Sequence, residues 1–335
     1  MKKYIVSGND YDMGYKVGNI FKEYLQNEIK KYDEKMLNKN IYSIVKKLEL
    51  KLKEESFSCL EEIYGRADGA EVSRDSLLLM FFPEIYKRID GCTTLILKDK
   101  NGKFLFSHNE DDKRYTSENT ALIKYDYGKY WIVGYTMAEK LTGSSFGYNS
   151  YGLVFSSNYI YDTKIELNNI SRYIMVRDVM KARNLDEAIS ILRNKKVASA
   201  FSLNILDTKN NETINVEKDI EKIYVTNITD RYARANHFTT KKVDLIEPLP
   251  SSKFRDEKSN ELINKIDKNN ANIEDLRTIL NYETEDYYKS IFKSPKKYTD
   301  QSITVANFSY DGENNVIEII DYLSDSKLML EYNEF

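Results

Sequence analysis

A layered α+β fold with antiparallel sheets is what this 335-residue sequence predicts. Residues 1–90 repeat apolar side chains at helical spacing, and short β-rich runs joined by tight turns follow Gly91. No regular strand–helix–strand alternation appears that would build a parallel sheet.

The elements follow in chain order. Between residues 10 and 29, Met13, Val17, Phe21, Leu25 and Ile29 recur every fourth position, as on a helix with one buried face. Gly14 and Gly18 share nearly that face, and their missing side chains let another element approach closely. Residues 41–64 read as a second helix through Ile44, Val45, Leu48 and Leu52. Gly65, Gly69 and Ser73-Arg74-Asp75 break it before apolar residues resume over 76–86. Beyond Gly91, runs at 93–98 and 103–107 flank Asn101-Gly102, a strong hairpin signal. Runs at 121–126 and 129–135 make a second pair, and 152–157 another strand. A helical stretch over 171–194 precedes strands at 201–206, 212–217 and 222–226. A polar region from 240 to 300 carries helices at 259–266 and 273–280, and strands at 303–307 and 316–321 close the pattern.

Composition narrows the function classes. With 41% apolar and 31% charged residues, the chain has an ordinary globular balance. No run approaches the roughly 18 apolar residues that span a bilayer. The opening MKKYIVSGND lacks the apolar core of a secretory signal, so a cytoplasmic protein is expected, with no membrane partner. Fifty Lys and Arg against 53 Asp and Glu leave −3, with no basic half to suit nucleic acid. Two cysteines do not make a disulfide framework. A zinc site built from the two histidines and two cysteines would need all four, and no pair has ligand spacing, so neither a metal nor an organic cofactor is expected.

The sharpest local feature is Asp90-Gly91-Cys92-Thr93-Thr94, where helical texture gives way to the first β run. A thiol there can attack the Gly91 carbonyl, and Gly91 presents no side chain to block the approach. An N→S acyl shift and hydrolysis would leave Cys92 as a new N-terminus. Its α-amine, with a pKa of about 7.7–8.0, can act as general base for the thiol without a histidine. The bland alternative is a buried structural cysteine, which is the reading given to Cys59. Ser107-His108-Asn109-Glu110-Asp111 follows the second strand of the hairpin and so returns beside Cys92. Asn149 in Gly147–Leu153, Asn158 at the far end of the next strand, and Asn236-His237 supply neutral amides, good donors to a developing oxyanion.

Together these segments resemble the acyltransferase family typified by acyl-CoA:6-aminopenicillanic-acid acyltransferase, also called isopenicillin-N acyltransferase. That family belongs to the self-processing N-terminal-nucleophile (Ntn) hydrolases and is related to the choloylglycine hydrolases. The likeness runs in order along nearly the whole chain. Gly8 to Gly18 is similar to the family's opening glycine-spaced helix, and EEIYGRADGAEVS from Glu61 to its pre-cleavage signature. Gly91-Cys92-Thr93-Thr94 resembles the self-cleavage junction, Asn109 and Asp111 the N-x-D segment, and Gly147 to Asn158 the G-x-N-x-x-GL…N strand. Residues 201–217 resemble its Asn…Asp…Glu hairpin, and Asn236-His237-Phe238 its Asn-His segment.

The resemblance implies a four-layer αββα Ntn sandwich, cut after Gly91. Residues 1–91 would form a helical pro-segment or α subunit, and 92–335 a catalytic β subunit that stays associated with it. Cys92 would both cut the chain and carry a thioester. Asp111 would orient the Cys92 amine, Asn236 would serve the oxyanion, and Asn158 matches the second asparagine of the choloylglycine branch. His108, Asn109, Tyr148, Asn149 and Tyr159 are assigned to substrate binding. His108 stands where the bile-salt branch has an arginine, and that arginine's role is not carried over to it. Leu79 to Glu84 replaces the family's usual Asn-x-x-x-Glu, keeping Glu84. The implied activity is hydrolysis or transfer at a linear amide of an N-acyl small molecule or peptide-like substrate, with an acyl-thioester donor in the transfer version. An uncleaved, non-catalytic Ntn-like protein binding an acyl ligand or partner is the alternative; a Cys92–His237 thiol protease is a third.

Overall fold

The N-terminal segment opens on a strand that the sequence reading missed, β1 (Lys2–Ser7), before turning helical. In the computed structural model, which describes residues 1–86, 91–114, 119–162, 164–240 and 249–335, the helices are α1 (Asp10–Ile20), α2 (Lys22–Glu28), α3 (Lys30–Met36), α4 (Lys39–Glu55), α5 (Phe57–Ala70) and α6 (Arg74–Met80). The helix expected over 10–29 is therefore two pieces, because Phe21 leaves the helical conformation. The one expected over 41–64 breaks at Ser56, whose backbone is also non-helical.

Gly65 and Gly69 do not end a helix; they lie inside α5. A Cβ on Gly65 would sit 2.0 Å from the Tyr11 carbonyl oxygen, and one on Gly14 2.1 Å from that of Glu62. The two glycine pairs thus bring α1 and α5 into backbone contact, and a helical turn of glycine spacing serves packing rather than termination.

The strands that follow are β2 (Gly91–Lys98), β3 (Phe104–Asp112), β4 (Thr120–Asp126), β5 (Trp131–Met137), β6 (Phe146–Asn149) and β7 (Leu153–Tyr159). Two helices replace the single one expected over 171–194: α7 (Arg172–Val179) and α8 (Leu185–Asn194). Then come β8 (Phe201–Asp207), β9 (Glu212–Lys218), β10 (Ile223–Ile228), β11 (Arg231–Arg234), α9 (Pro250–Ile263), α10 (Ile273–Leu280), β12 (Ile303–Asp311), β13 (Val316–Asp321) and β14 (Ser326–Glu331). The helix expected at 259–266 overlaps the C-terminal part of the longer α9 but overruns its end at Ile263.

The strands form an eight-stranded sheet, β1-β4-β5-β6-β7-β8-β9-β10, and a six-stranded one, β11-β2-β3-β12-β13-β14. Pairing is antiparallel except for the edge pair β1 and β4. Alternation along the strands sorts their side chains into three seams. Ile123, Phe155 and Leu203 on one face of the large sheet pack with α1–α8. Val133, Val154 and Leu206 on its other face meet Ile96, Phe106 and Phe308 of the small sheet. Leu95, Leu97 and Leu105, on the small sheet's outer face, meet Ile263, Leu276 and Leu280 of α9 and α10. The result is four layers, helices–sheet–sheet–helices.

Candidate active site

The β2–β3 register builds the site. Gly91 opposes Asp111, Cys92 opposes Glu110, and Thr94 opposes His108. Opposed residues of an antiparallel pair share a face, so Cys92, Thr94, His108 and Glu110 continue the face that Ile96 and Phe106 turn toward the large sheet. Along these strands the middle seam therefore changes from apolar to polar. The segment 107–111 does not follow the hairpin strand, as the sequence reading had it; it is the strand, and its alternation decides which side chains meet Cys92.

Cys92 is 2% exposed. Its Sγ donates to Glu110 Oε2 at 3.1 Å, and its backbone N–H donates to Asn236 Oδ1 at 3.0 Å. Burial first, and the Glu110 charge second, push the thiol well above its ordinary pKa. Glu110 Oε1 pairs with Lys140 Nζ at 3.0 Å, and the same ammonium reaches Asp112 Oδ2 at 2.9 Å. Lys140 is held in turn by the buried Arg66 of α5, which donates to the carbonyls of Lys140 and Ala138 at 3.1 and 2.9 Å. A conspicuous residue of the N-terminal helices thus fixes the backbone of the segment that carries Lys140.

Asn236, 144 residues away in sequence, is fixed from three sides. Its Nδ2 donates to the Tyr159 carbonyl at 2.8 Å, its N–H to Ser252 Oγ at 2.8 Å, and its Oδ1 accepts from Arg255 Nη2 at 2.6 Å. Arg255, from α9, also donates through Nη1 to the Cys92 carbonyl and to Thr93 Oγ1, the latter at 2.8 Å. Nothing in the sequence singled out Arg255, one charge in the polar region 240–300, ahead of the helix expected at 259–266. Glu110 was legible in principle, two residues beyond His108 in a strand that also points Phe106 inward.

Asp111 lies on the other face of β3, toward α9 and α10. Its Oδ1 accepts from Thr304 Oγ1 at 2.7 Å. Burial raises its carboxyl to about 6, against the pull of Arg255, Thr304 and Lys293. A Cβ on Gly91 would come within 3.1 Å of Asp111 Oδ2, so the two residues are packed against each other.

Asn158 reaches the site across the sheets. Its Oδ1 accepts from Thr94 Oγ1 at 2.9 Å and Asn204 Nδ2 at 3.0 Å, while its buried Nδ2 has no hydrogen-bond partner among the described residues. Tyr159, with Arg172 stacked 4.6 Å from its ring centre, lines a small cavity with Cys92, Glu110, Lys140 and Tyr173.

Three of the residues assigned to substrate binding have other partners in the structure. Asn149 has both Nδ2 protons on the Met180 and Ala182 carbonyls and its Oδ1 on the N–H groups of Tyr151 and Leu153, so its amide is spent on shaping the β6–β7 turn. Tyr148 lies in the apolar part of the middle seam, edge-on to Trp131 at 5.7 Å. Asn109 is turned outward, donating to the Leu280 carbonyl and accepting from Asn307. His108 faces the site, but inside the polar network: its Nδ1 is 2.8 Å from Thr94 Oγ1 and its Nε2 3.4 Å from Glu110 Oε2. His237 bonds Ser252 and makes no hydrogen bond to Cys92, and burial lowers its pKa to about 4, so the Cys92–His237 protease arrangement is not formed. Asp90 lies outside the described residues.

A family model described as acyl-coenzyme A:6-aminopenicillanic acid acyl-transferase matches residues 97–321, beginning just past Cys92. Over 229 residues the chain is 25% identical to the beta-alanyl-dopamine/carcinine hydrolase of Drosophila melanogaster, an alignment covering 59% of this chain and 58% of that protein. The chain thus matches less than two thirds of that relative's length. Among solved structures, a variant of the conjugated bile acid hydrolase from Clostridium perfringens superposes with a TM-score of 0.50 at 17% identity, covering 72% of this chain and 93% of that one. Penicillin V acylase from Agrobacterium tumefaciens gives 0.46 at 14% identity, covering 72% and 86%. The four layers are those of an Ntn-hydrolase fold. Among the described residues, no helix is long and apolar enough to cross a membrane.

Proposed function

The chain belongs to the acyl-coenzyme A:6-aminopenicillanic acid acyl-transferase family, and from that premise we propose that it is a self-processing amidohydrolase or acyltransferase with Cys92 Sγ as nucleophile. The single observation that carries the reading is the placement of Cys92: its sulfur and its nitrogen are each held by a named polar partner at the buried polar end of the middle seam.

Maturation starts when Cys92 Sγ attacks the Gly91 carbonyl carbon. The S–C bond forms, the C–N bond breaks, and the sulfur's proton ends on the departing nitrogen. Water then hydrolyses the thioester, leaving the Gly91 carboxylate and a free Cys92 thiol and amine. Residues 1–91 and 92–335 would stay together because α1–α6 share one seam with β4, β7 and β8.

Turnover repeats the chemistry on a substrate amide. The α-amine, near neutral pKa, takes the thiol proton and passes it to the leaving amine. Asn236 Oδ1 and the Asp111 carboxylate orient that amine. The second Nδ2 proton of Asn236 and the unpartnered Nδ2 of Asn158 are the side-chain donors for the oxyanion. Water, or an acceptor amine when the protein acts as a transferase, resolves the thioester. The substrate class is a small N-acyl amine, the kind of molecule named in its Drosophila relative.

Intact-mass spectrometry of the purified protein tests this directly. Wild type should give two species split after Gly91, whereas Cys92→Ala should remain one chain of 39.3 kDa without amidase activity. A fully active wild type in one piece would rule the mechanism out. A single stable chain without activity would favour the uncleaved, non-catalytic reading.

A further inference from the structure

The β2–β3 register gathers a soft sulfur, an imidazole nitrogen and a carboxylate oxygen that spacing along the chain did not reveal as a set. Cys92 Sγ, a ring nitrogen of His108 and a carboxylate oxygen of Glu110 all lie within 4.8 Å of one another, on buried residues. This is the donor set and number of an open zinc site, three protein ligands with a fourth position left over.

The surroundings orient each ligand. The Thr94 hydroxyl gives its proton to Asn158 Oδ1, so at 2.8 Å it accepts from His108 Nδ1–H. That leaves Nε2 as the ring nitrogen facing Glu110 Oε2, 3.4 Å away. Lys140 occupies Glu110 Oε1, leaving Oε2 for the ligand position, an arrangement typical of carboxylates and imidazoles fixed from outside a metal site. With the thiol ionised, Cys92, Glu110 and Asp112 against Lys140 leave two net negative charges to balance a divalent ion. The adjoining cavity, about 10 Å³ and lined by Ser144 and Ser157 among others, has room for one water as the fourth ligand.

We propose that Cys92, His108 and Glu110 form an inhibitory transition-metal site that takes Zn²⁺. Binding replaces the Cys92 S–H bond by an S–Zn bond and releases one proton to solvent; no electron is transferred. The sulfur is then unavailable as a nucleophile. That the site inhibits rests on Cys92 being the proposed nucleophile, whereas metal binding is read separately from turnover, so failure of the one shows apart from failure of the other.

The test uses the full chain, Co²⁺ as spectroscopic reporter and Zn²⁺ titration calorimetry. Wild type should bind one ion per chain, and the cobalt form should show thiolate-to-metal charge-transfer absorption that Zn²⁺ displaces. Cys92→Ala should abolish the band and Cys59→Ala should keep it. His108→Gln and Glu110→Gln should each weaken Zn²⁺ binding by about tenfold or more. Absence of the band in wild type, which needs no variant to fold, overturns the proposal. So does a band that survives Cys92→Ala, or Zn²⁺ affinity unchanged in a folded His108→Gln protein.

Discussion

Cys92 and Glu110 face each other across the β2–β3 pair, with Sγ 3.1 Å from Oε2. The Glu110 carboxyl is buried beside the thiol and, after burial itself, is the next cause of the thiol's raised pKa. Glu110→Gln keeps a hydrogen-bond partner of similar shape and removes the charge. In a Cys59→Ala background, the pH midpoint of iodoacetamide alkylation at Cys92 should fall by about one unit or more. A midpoint that stays put or rises would mean that the Glu110 charge is not felt at the sulfur.

Asn236 is proposed to serve both the Cys92 nitrogen and the oxyanion. One oxyanion donor contributes about 3 kcal/mol to lowering the barrier, so Asn236→Ala should cut kcat by about a hundredfold with a smaller change in KM. The expected split matters, because simple loss of a binding contact would raise KM and leave kcat alone.

Gly91 and Asp111 limit each other. An alanine Cβ at position 91 would meet Asp111 Oδ2 at 3.1 Å, and a branched side chain more of that residue. Gly91→Ala should slow the appearance of the cleaved species in a time course of intact masses, and Gly91→Val should slow it further. Cleavage of both at the wild-type rate would remove Gly91 from the mechanism.

Much of this architecture was legible because amphipathic periods survive in the sequence. The helix expected at 273–280 is α10 itself, and the Asn101-Gly102 turn sits between β2 and β3. What escaped has physical reasons. β1 and β14 are edge strands whose side chains are mostly exposed or half-buried, with one buried residue each, so they carry no buried stripe to recognise. Gly65 and Gly69 were misread because a glycine's local cost in a helix says nothing about the second helix pressed against it. At the site, Gly91, Cys92 and Asp111 come together through one hairpin, which local sequence can announce. Asn236 and Arg255 arrive through tertiary packing, and Lys140 through Arg66, which no spacing encodes.

The α1–α5 contact gives a prediction whose sign is informative. In an exposed helix, Gly→Ala stabilises by about 0.5–1 kcal/mol. Here the new Cβ of Gly65→Ala would lie 2.0 Å from the Tyr11 carbonyl oxygen, so the helices must separate. The variant should unfold at lower denaturant concentration, by about 1–3 kcal/mol, with the slope of the transition unchanged. Stabilisation instead would show that α1 and α5 do not meet through this glycine.

Asp111 ties activity and stability to pH in opposite directions. Its carboxyl sits at about 6, raised by burial from an ordinary value near 3.8. Between those values the folded chain holds a proton that the unfolded chain has lost, so protonation favours the fold, and this group's contribution to stability grows as pH falls from 7 to 4. Orienting the Cys92 ammonium needs the charged form, which disappears over that same window. Wild-type kcat/KM should therefore show an acid limb near pH 6, and Asp111→Asn should have low activity without that limb. The asparagine variant carries no buried charge, so any advantage it has in melting temperature at pH 7 should shrink toward pH 5. An acid limb that persists unchanged in Asp111→Asn would assign it to another group and take the amine-orienting role away from Asp111.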